Sequence, residues 1–148
     1  MGINSIKSRA NKPGSGAKSK DGIMFEWADP AVRRSQTAKR SRNKGKKYEL
    51  DIIHELIDIG YKGLKSSRSE SRTLDNAKID IAETEDRLPC YIQCKATANT
   101  PNVEKISADC PIKDRPLVVF WKKQKANEKQ PEYVIMPKSF FYDLIKKI

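Results

Sequence analysis

The apolar positions of this chain change period along its length, and those changes mark out its elements. Over residues 46–59 they follow a helix. At about 100° per residue, Tyr48, Leu50, Ile52, Ile53, Leu56, Ile57 and Ile59 fill one broad arc, and Asp51, His54, Glu55 and Asp58 fill the other. Gly60 stands where a helix-terminating glycine belongs. A short strand is predicted over 61–65, then a polar loop over 66–73. Strands over 78–82 and 88–96 follow, joined by a turn carrying Glu83, Glu85 and Asp86. Thr100 and Pro101 read as the cap and first residue of a short helix ending near Asp109. Residues 117–121 read as a buried strand and 132–136 as its neighbour, with a basic hairpin tip over 122–129. Ser139 is placed to cap a last helix over 140–148. The order predicts an α/β class, a small mixed β-sheet flanked by helices, with no internal repeat.

Three positions break the pattern in a way that bears on chemistry. Glu49 lies near the middle of the first helix's apolar arc, with Ile52, Ile53 and Leu56 at its +3, +4 and +7 positions. A carboxylate facing a core is costly unless it is paired or bound to a metal. The plainer alternative keeps Glu49 wet in the helix's first turn, where it favours the helix dipole. On the strand over 88–96, Cys90, Ile92, Cys94 and Ala96 form one apolar face, while Tyr91, Gln93, Lys95 and Thr97 point the other way. On the preceding strand, Asp80 faces opposite to Ile79 and Ile81. Asp75 is a competing carboxylate, but it lacks the flanking apolar pair that seats Asp80 on a strand.

An acid on one strand and a polar-x-Lys on the next suit phosphodiester cleavage. Mg²⁺ takes oxygen ligands, usually one or two carboxylates completed by water and substrate. A nearby lysine can orient the nucleophile or offset phosphate charge. His54 falls on the polar helix face and reads as solvated. Cys90 and Cys94 read as ordinary buried thiols, which leaves little for a zinc site.

Charge sharpens the picture. The net charge is +11, and residues 1–47 hold 13 Lys/Arg against Asp21, Glu26 and Asp29, so nearly all of the excess sits there. Residues 1–43 form a basic arm, and its partner is expected to be a polyanion, with nucleic acid the default. Residues 1–21 are predicted to be disordered. Ile23, Met24, Phe25 and Trp27 make 22–30 too apolar for a plain tail. That stretch is a candidate docking segment, against the domain, a second subunit or a base. Arg33 to Lys47 reads as a basic linker. Three cysteines and no secretory leader predict a reducing interior, and no apolar run reaches the length of a membrane span.

The motifs together resemble the archaeal-type Holliday junction resolvases of the PD-(D/E)xK nuclease superfamily. Lys44-Gly45-x-x-x-Glu49 is similar to the family's first-helix motif, and Gly60-Tyr61 to its step into the first strand. Ile79-Asp80-Ile81 is similar to the strand bearing the motif aspartate, and Ile92-Gln93-Cys94-Lys95 to the strand bearing E-x-K. The resemblance covers residues 44–148 and implies a restriction-endonuclease-like nuclease domain. It implies Glu49, Asp80 and Gln93 as ligands of Mg²⁺ or Mn²⁺, and Lys95 as the catalytic lysine. It assigns DNA contact to Lys44, Lys65, Ser66, Ser67, Arg68 and Arg72. Ser66, Ser67, Ser69 and Ser71 all remain candidates for the family's loop serine. Gln93 stands where the family has an acid, and Ile79 where it has proline. A neutral amide still coordinates Mg²⁺ but brings less charge.

The implied activity is metal-dependent endonucleolytic cleavage of four-way junctions by a homodimer, in the cytoplasm of a prokaryotic cell or, for a phage protein, of its host. Branched duplex DNA is the expected partner, with neither a membrane nor a small-molecule substrate. Another PD-(D/E)xK nuclease, of flap, end-trimming or restriction type, and an inactive DNA-binding module are the alternatives.

Overall fold

The computed structural model describes residues 29–125 and 128–148. Most of the candidate docking segment, the arm before it, and residues 126–127 of the hairpin tip lie outside the described residues. The elements run α1 (Pro30–Asp58), β1 (Leu64–Ser66), α2 (Ser67–Glu70), α3 (Arg72–Asn76), β2 (Ile81–Glu83), β3 (Tyr91–Thr97), α4 (Val103–Asp109), β4 (Leu117–Lys123), β5 (Glu132–Ile135) and α5 (Lys138–Ile145). Among the described residues this is a small mixed α/β protein with two sheets and five helices. None of those helices is long and apolar enough to cross a membrane. Two compact units divide at Arg40 and Ser41.

The first helix departs from expectation at its start. The basic stretch expected to be a linker is helical, because Asp29 caps it and Pro30 opens it. The Asp29 carboxylate accepts the Ala31 N–H at 2.8 Å, and proline costs nothing at a first helical position. The far end closes as the glycine predicts. Gly60 adopts φ +106°, the Tyr61 N–H donates to the Leu56 carbonyl and the Gly60 N–H to that of Ile57, each at 3.0 Å. This is a Schellman closure, with Leu56 and Tyr61 both packed on the core. Only part of the predicted arc is covered: Tyr48, Glu49, Ile52 and Ile53 are buried, while Leu50, Ile57 and Ile59 stay exposed.

The predicted loop over 66–73 is instead two short helices, α2 and α3. The second ends as α1 does, with Lys78 N–H donating to the Asp75 carbonyl and Ile79 N–H to that of Leu74. Here the left-handed position is Lys78, at φ 63°. This closure draws Ile79 out of the strand. It was expected to share a face with Ile81, yet Ile79 packs with Ala77, Cys110 and Leu74, while Ile81 packs with Tyr48, Ile52 and Ile92. Asp80 lies where the chain passes from one core to the other. Two further boundaries move: α4 starts at Val103 because the Asn102 side chain accepts the Lys105 N–H, and α5 starts at Lys138 after Pro137.

β1 and β2 form one antiparallel pair, and β3–β4–β5 form a second sheet, parallel then antiparallel. The parallel pair needs a crossover, which α4 supplies. On β3 the predicted alternation holds. Ile92 is in the core that includes Tyr48, Ile52 and Ile53, with Cys90, Cys94 and Ala96 against it, whereas Tyr91 packs with the Ile79 cluster.

The two Schellman closures make opposite predictions. Gly60→Ala forces a side chain onto a positive φ and is expected to lower unfolding stability by about 1–2 kcal/mol. Lys78→Gly relieves the same strain and is expected to raise it, by up to about 1 kcal/mol. Urea unfolding of the two variants beside the parent protein checks both signs.

Candidate active site

The site assembles around Asp80. Its backbone N–H donates to the Ile92 carbonyl at 2.9 Å and its carbonyl accepts the Ser67 N–H at 2.9 Å. Its side chain accepts the Cys94 N–H at 2.7 Å. In a continuous sheet the Cys94 N–H would find a carbonyl on the neighbouring strand. A carboxylate takes that place, and the two ladders remain separate. The Asp80 carboxylate is thereby fixed at the free edge of β3. Gln93 and Lys95 flank that edge on one face of the strand, on either side of Cys94.

Glu49 reaches the same place from α1. It is 2% exposed, so of the two readings left open by the sequence, the buried one holds. The Ser66 hydroxyl donates to Glu49 Oε1, and Arg68 Nη2 lies 3.8 Å from Oε2. Burial pushes the Asp80 carboxyl up to about 6. Its bond from Cys94 opposes this, the Glu49 carboxylate adds to it, and Lys95 and Arg68 draw it back. The same surroundings raise the Cys94 thiol, through burial first and then the two carboxylates, and burial beside Glu83 pushes Cys90 up to about 11. Both thiols are therefore poor nucleophiles.

Gln93 is 3% exposed, and its Oε1 is buried with no hydrogen-bond partner. A buried acceptor with no protein partner can take a water, a donor or a cation. Among the described residues, no group of three His, Cys, Asp or Glu side chains is placed to hold a metal ion. The acids here number two, and the third candidate donor is the Gln93 amide.

The expected DNA contacts divide. Ser66 and Arg68 join the site, and Lys65 beside them pairs with Glu70 at 2.9 Å. Ser67 is fully buried, and its N–H holds Asp80, so its place is beneath the site and not on its surface. Arg72 is exposed at the start of α3. Lys44 lines a separate cleft with Lys47, Tyr48, Asp51, Lys122 and Gln124. A groove of about 600 Å³, floored by Leu50, Ile53, Ile57 and Leu64, opens beside Ser66 and Arg68. Asp75, the competing carboxylate, lies 3.8 Å from Arg68 Nε. The sequence did not single out the Cys94 backbone N–H or the Ser66–Glu49 bond. The first is a main-chain group that no residue type announces, and the second joins positions 17 apart in the chain.

No family model, no curated protein and no solved structure matches this chain.

A carboxyl whose folded pKa lies above its unfolded value favours the folded state fully below the unfolded value, here about 4. That contribution is lost as pH rises through about 6. The metal-free protein is therefore expected to lose about 3 kcal/mol of stability across that window. Asp80→Asn removes the cost of burying the charge. It is expected to be more stable than the parent protein above about pH 7 in EDTA, as urea unfolding across the pH range would read.

Proposed function

We propose that this chain is a metal-dependent, structure-selective DNA endonuclease of the PD-(D/E)xK type that resolves four-way junctions as a homodimer. One observation carries the reading. The orphaned Gln93 Oε1 is buried on the strand whose Cys94 N–H holds Asp80, and a second buried carboxylate, Glu49, is near enough to raise the Asp80 pKa. Two carboxylates held together and an amide oxygen without a donor make a set of hard oxygen acceptors, and that set fits Mg²⁺ or Mn²⁺. Asp80, Gln93 and Glu49 would hold the ion. Bound there, it would stabilise charge on the attacked phosphate and make the attacking water more acidic.

The chain's own groups supply the rest. Lys95 shares the Gln93 face and acts electrostatically on Asp80, so its ammonium is placed to offset charge growing on a phosphate beside that carboxylate. Arg68 is half exposed and 3.8 Å from Glu49, a distance at which it can exchange that carboxylate for a DNA phosphate. Ser66 orients Glu49 through its hydroxyl. Setting aside α2 and α3, the element order is helix, three strands, helix, two strands and helix, the order the apolar pattern predicts. A two-fold symmetric junction takes two such sites, which an isologous dimer provides. The enzyme would work where DNA is handled, in the cytoplasm of a prokaryotic cell or of a phage's host.

The test is nicking of a labelled immobile four-way junction beside linear duplex of the same sequence, with Mg²⁺ and with EDTA. Symmetric, Mg²⁺-dependent cuts at the junction are expected, and Lys95→Ala is expected to slow them by about 10²-fold or more. Equal cutting of linear duplex would make the protein a different nuclease of this type. Junction binding without cutting would make it a DNA-binding module. Gln93→Glu adds a charge to the ligand set and is expected to lower the metal concentration needed for half-maximal thermal stabilisation, read without substrate.

A further inference from the structure

The unit that ends at Arg40 presents a second surface with chemistry of its own. Its described residues begin with the Asp29 cap, and residues 30–40 are helical, exposed throughout and free of acids. At about 100° per residue, Arg33, Gln36, Thr37 and Arg40 fall within about 100° of one another, and Lys39 and Arg34 lie about 110° to either side of that face. The four central side chains line one shallow depression. Ala31 and Ala38, on the opposite side, add no bulk there.

We propose that this helical face is a reading element for the major groove of B-form DNA. The occupant is argued from charge and size. Flanking cations on both sides of a central polar face match two phosphate walls with base edges between them. An α-helix about 10–12 Å across fits a major groove about 12 Å wide and not a minor groove about 6 Å wide. In A-form RNA the major groove is too deep and narrow to be read this way. The central residue types suit base edges. An amide such as Gln36 pairs with adenine N6 and N7, a guanidinium such as Arg33 with guanine O6 and N7, and Thr37 offers a hydroxyl and a methyl group. Arg34 and Lys39 would contact phosphates and carry no sequence information. The protein would then join sequence preference in duplex arms to any selectivity for branch shape. This inference stands on residues 29–40 alone and does not rest on the nuclease reading.

The experiment uses the full-length chain carrying Lys95→Ala, so that binding is read without cutting. Sites are selected from a randomised duplex library, and the selected duplex is titrated across salt concentrations. A preferred sequence is expected, with binding displaced by the major-groove ligand methyl green and not by the minor-groove ligand netropsin. Gln36→Ala with Thr37→Ala is expected to erase about tenfold of the preference for the selected sequence while leaving the salt slope unchanged. Arg34→Gln with Lys39→Gln is expected to lower that slope by about 2 and to weaken all sequences alike. Displacement by netropsin, equal binding to an RNA duplex, or the absence of any preferred sequence would each overturn the proposal. Circular dichroism of the variants confirms that helix content is kept, so a loss of preference is not a loss of the helix.

Discussion

The bond from the Cys94 N–H to the Asp80 carboxylate holds this molecule's arrangement together. It puts a side-chain oxygen where a backbone carbonyl would otherwise sit, and most of the local architecture follows. The β1–β2 pair and the β3–β5 sheet stay separate, joined here by the Asp80 N–H on the Ile92 carbonyl. Because the Asp80 carbonyl also takes the Ser67 N–H, one residue ties α2, the approach to β2 and the middle of β3 together. The carboxylate is fixed through its own side chain and both of its backbone groups, before any ligand is considered.

That fixation has an electrostatic consequence. Asp80 is held where burial and the Glu49 carboxylate disfavour its charge, with Lys95 and Arg68 offering only partial relief. Ser67 Oγ and Gln93 Oε1 lie in the residues that frame it and have no hydrogen-bond partners. Natural folds tolerate such local conflict mainly where function requires it, and the surrounding core supplies the stability to hold it. Here the cores on either side are well filled. Ile79, Ile92, Val118 and Val119 are fully buried, and the paired Ile79 and Ile81 enter different clusters on either side of Asp80.

Patterns that depend only on neighbours in the chain were readable from the residues alone. The period of the apolar positions predicted the α/β class, the order of the longer elements and the face alternation on β3. An acid in the middle of an apolar helical arc marked Glu49, and Gly60 marked the end of its helix. These follow from helix and strand geometry, which repeats every few residues and needs no partner. The expected linker turned out helical because Asp29 and Pro30 provide a strong start signal that the charge of the following residues masked.

What the tertiary structure decided are the features set by long-range contacts. Ile79 left its expected face because the closure of α3 claimed its N–H, a bond that competes with strand pairing and that no periodicity reveals. Glu49 became a buried group held by Ser66 and Arg68 only because α2 follows β1 directly and brings them onto α1. The sequence by itself determined the helical arc that holds Glu49 and the alternation that puts Gln93 and Lys95 on one face of β3, since both are local properties. Only the tertiary structure decided that Glu49 and Asp80 come close enough to interact beside β3, because which main-chain and side-chain groups satisfy one another there depends on how distant segments pack.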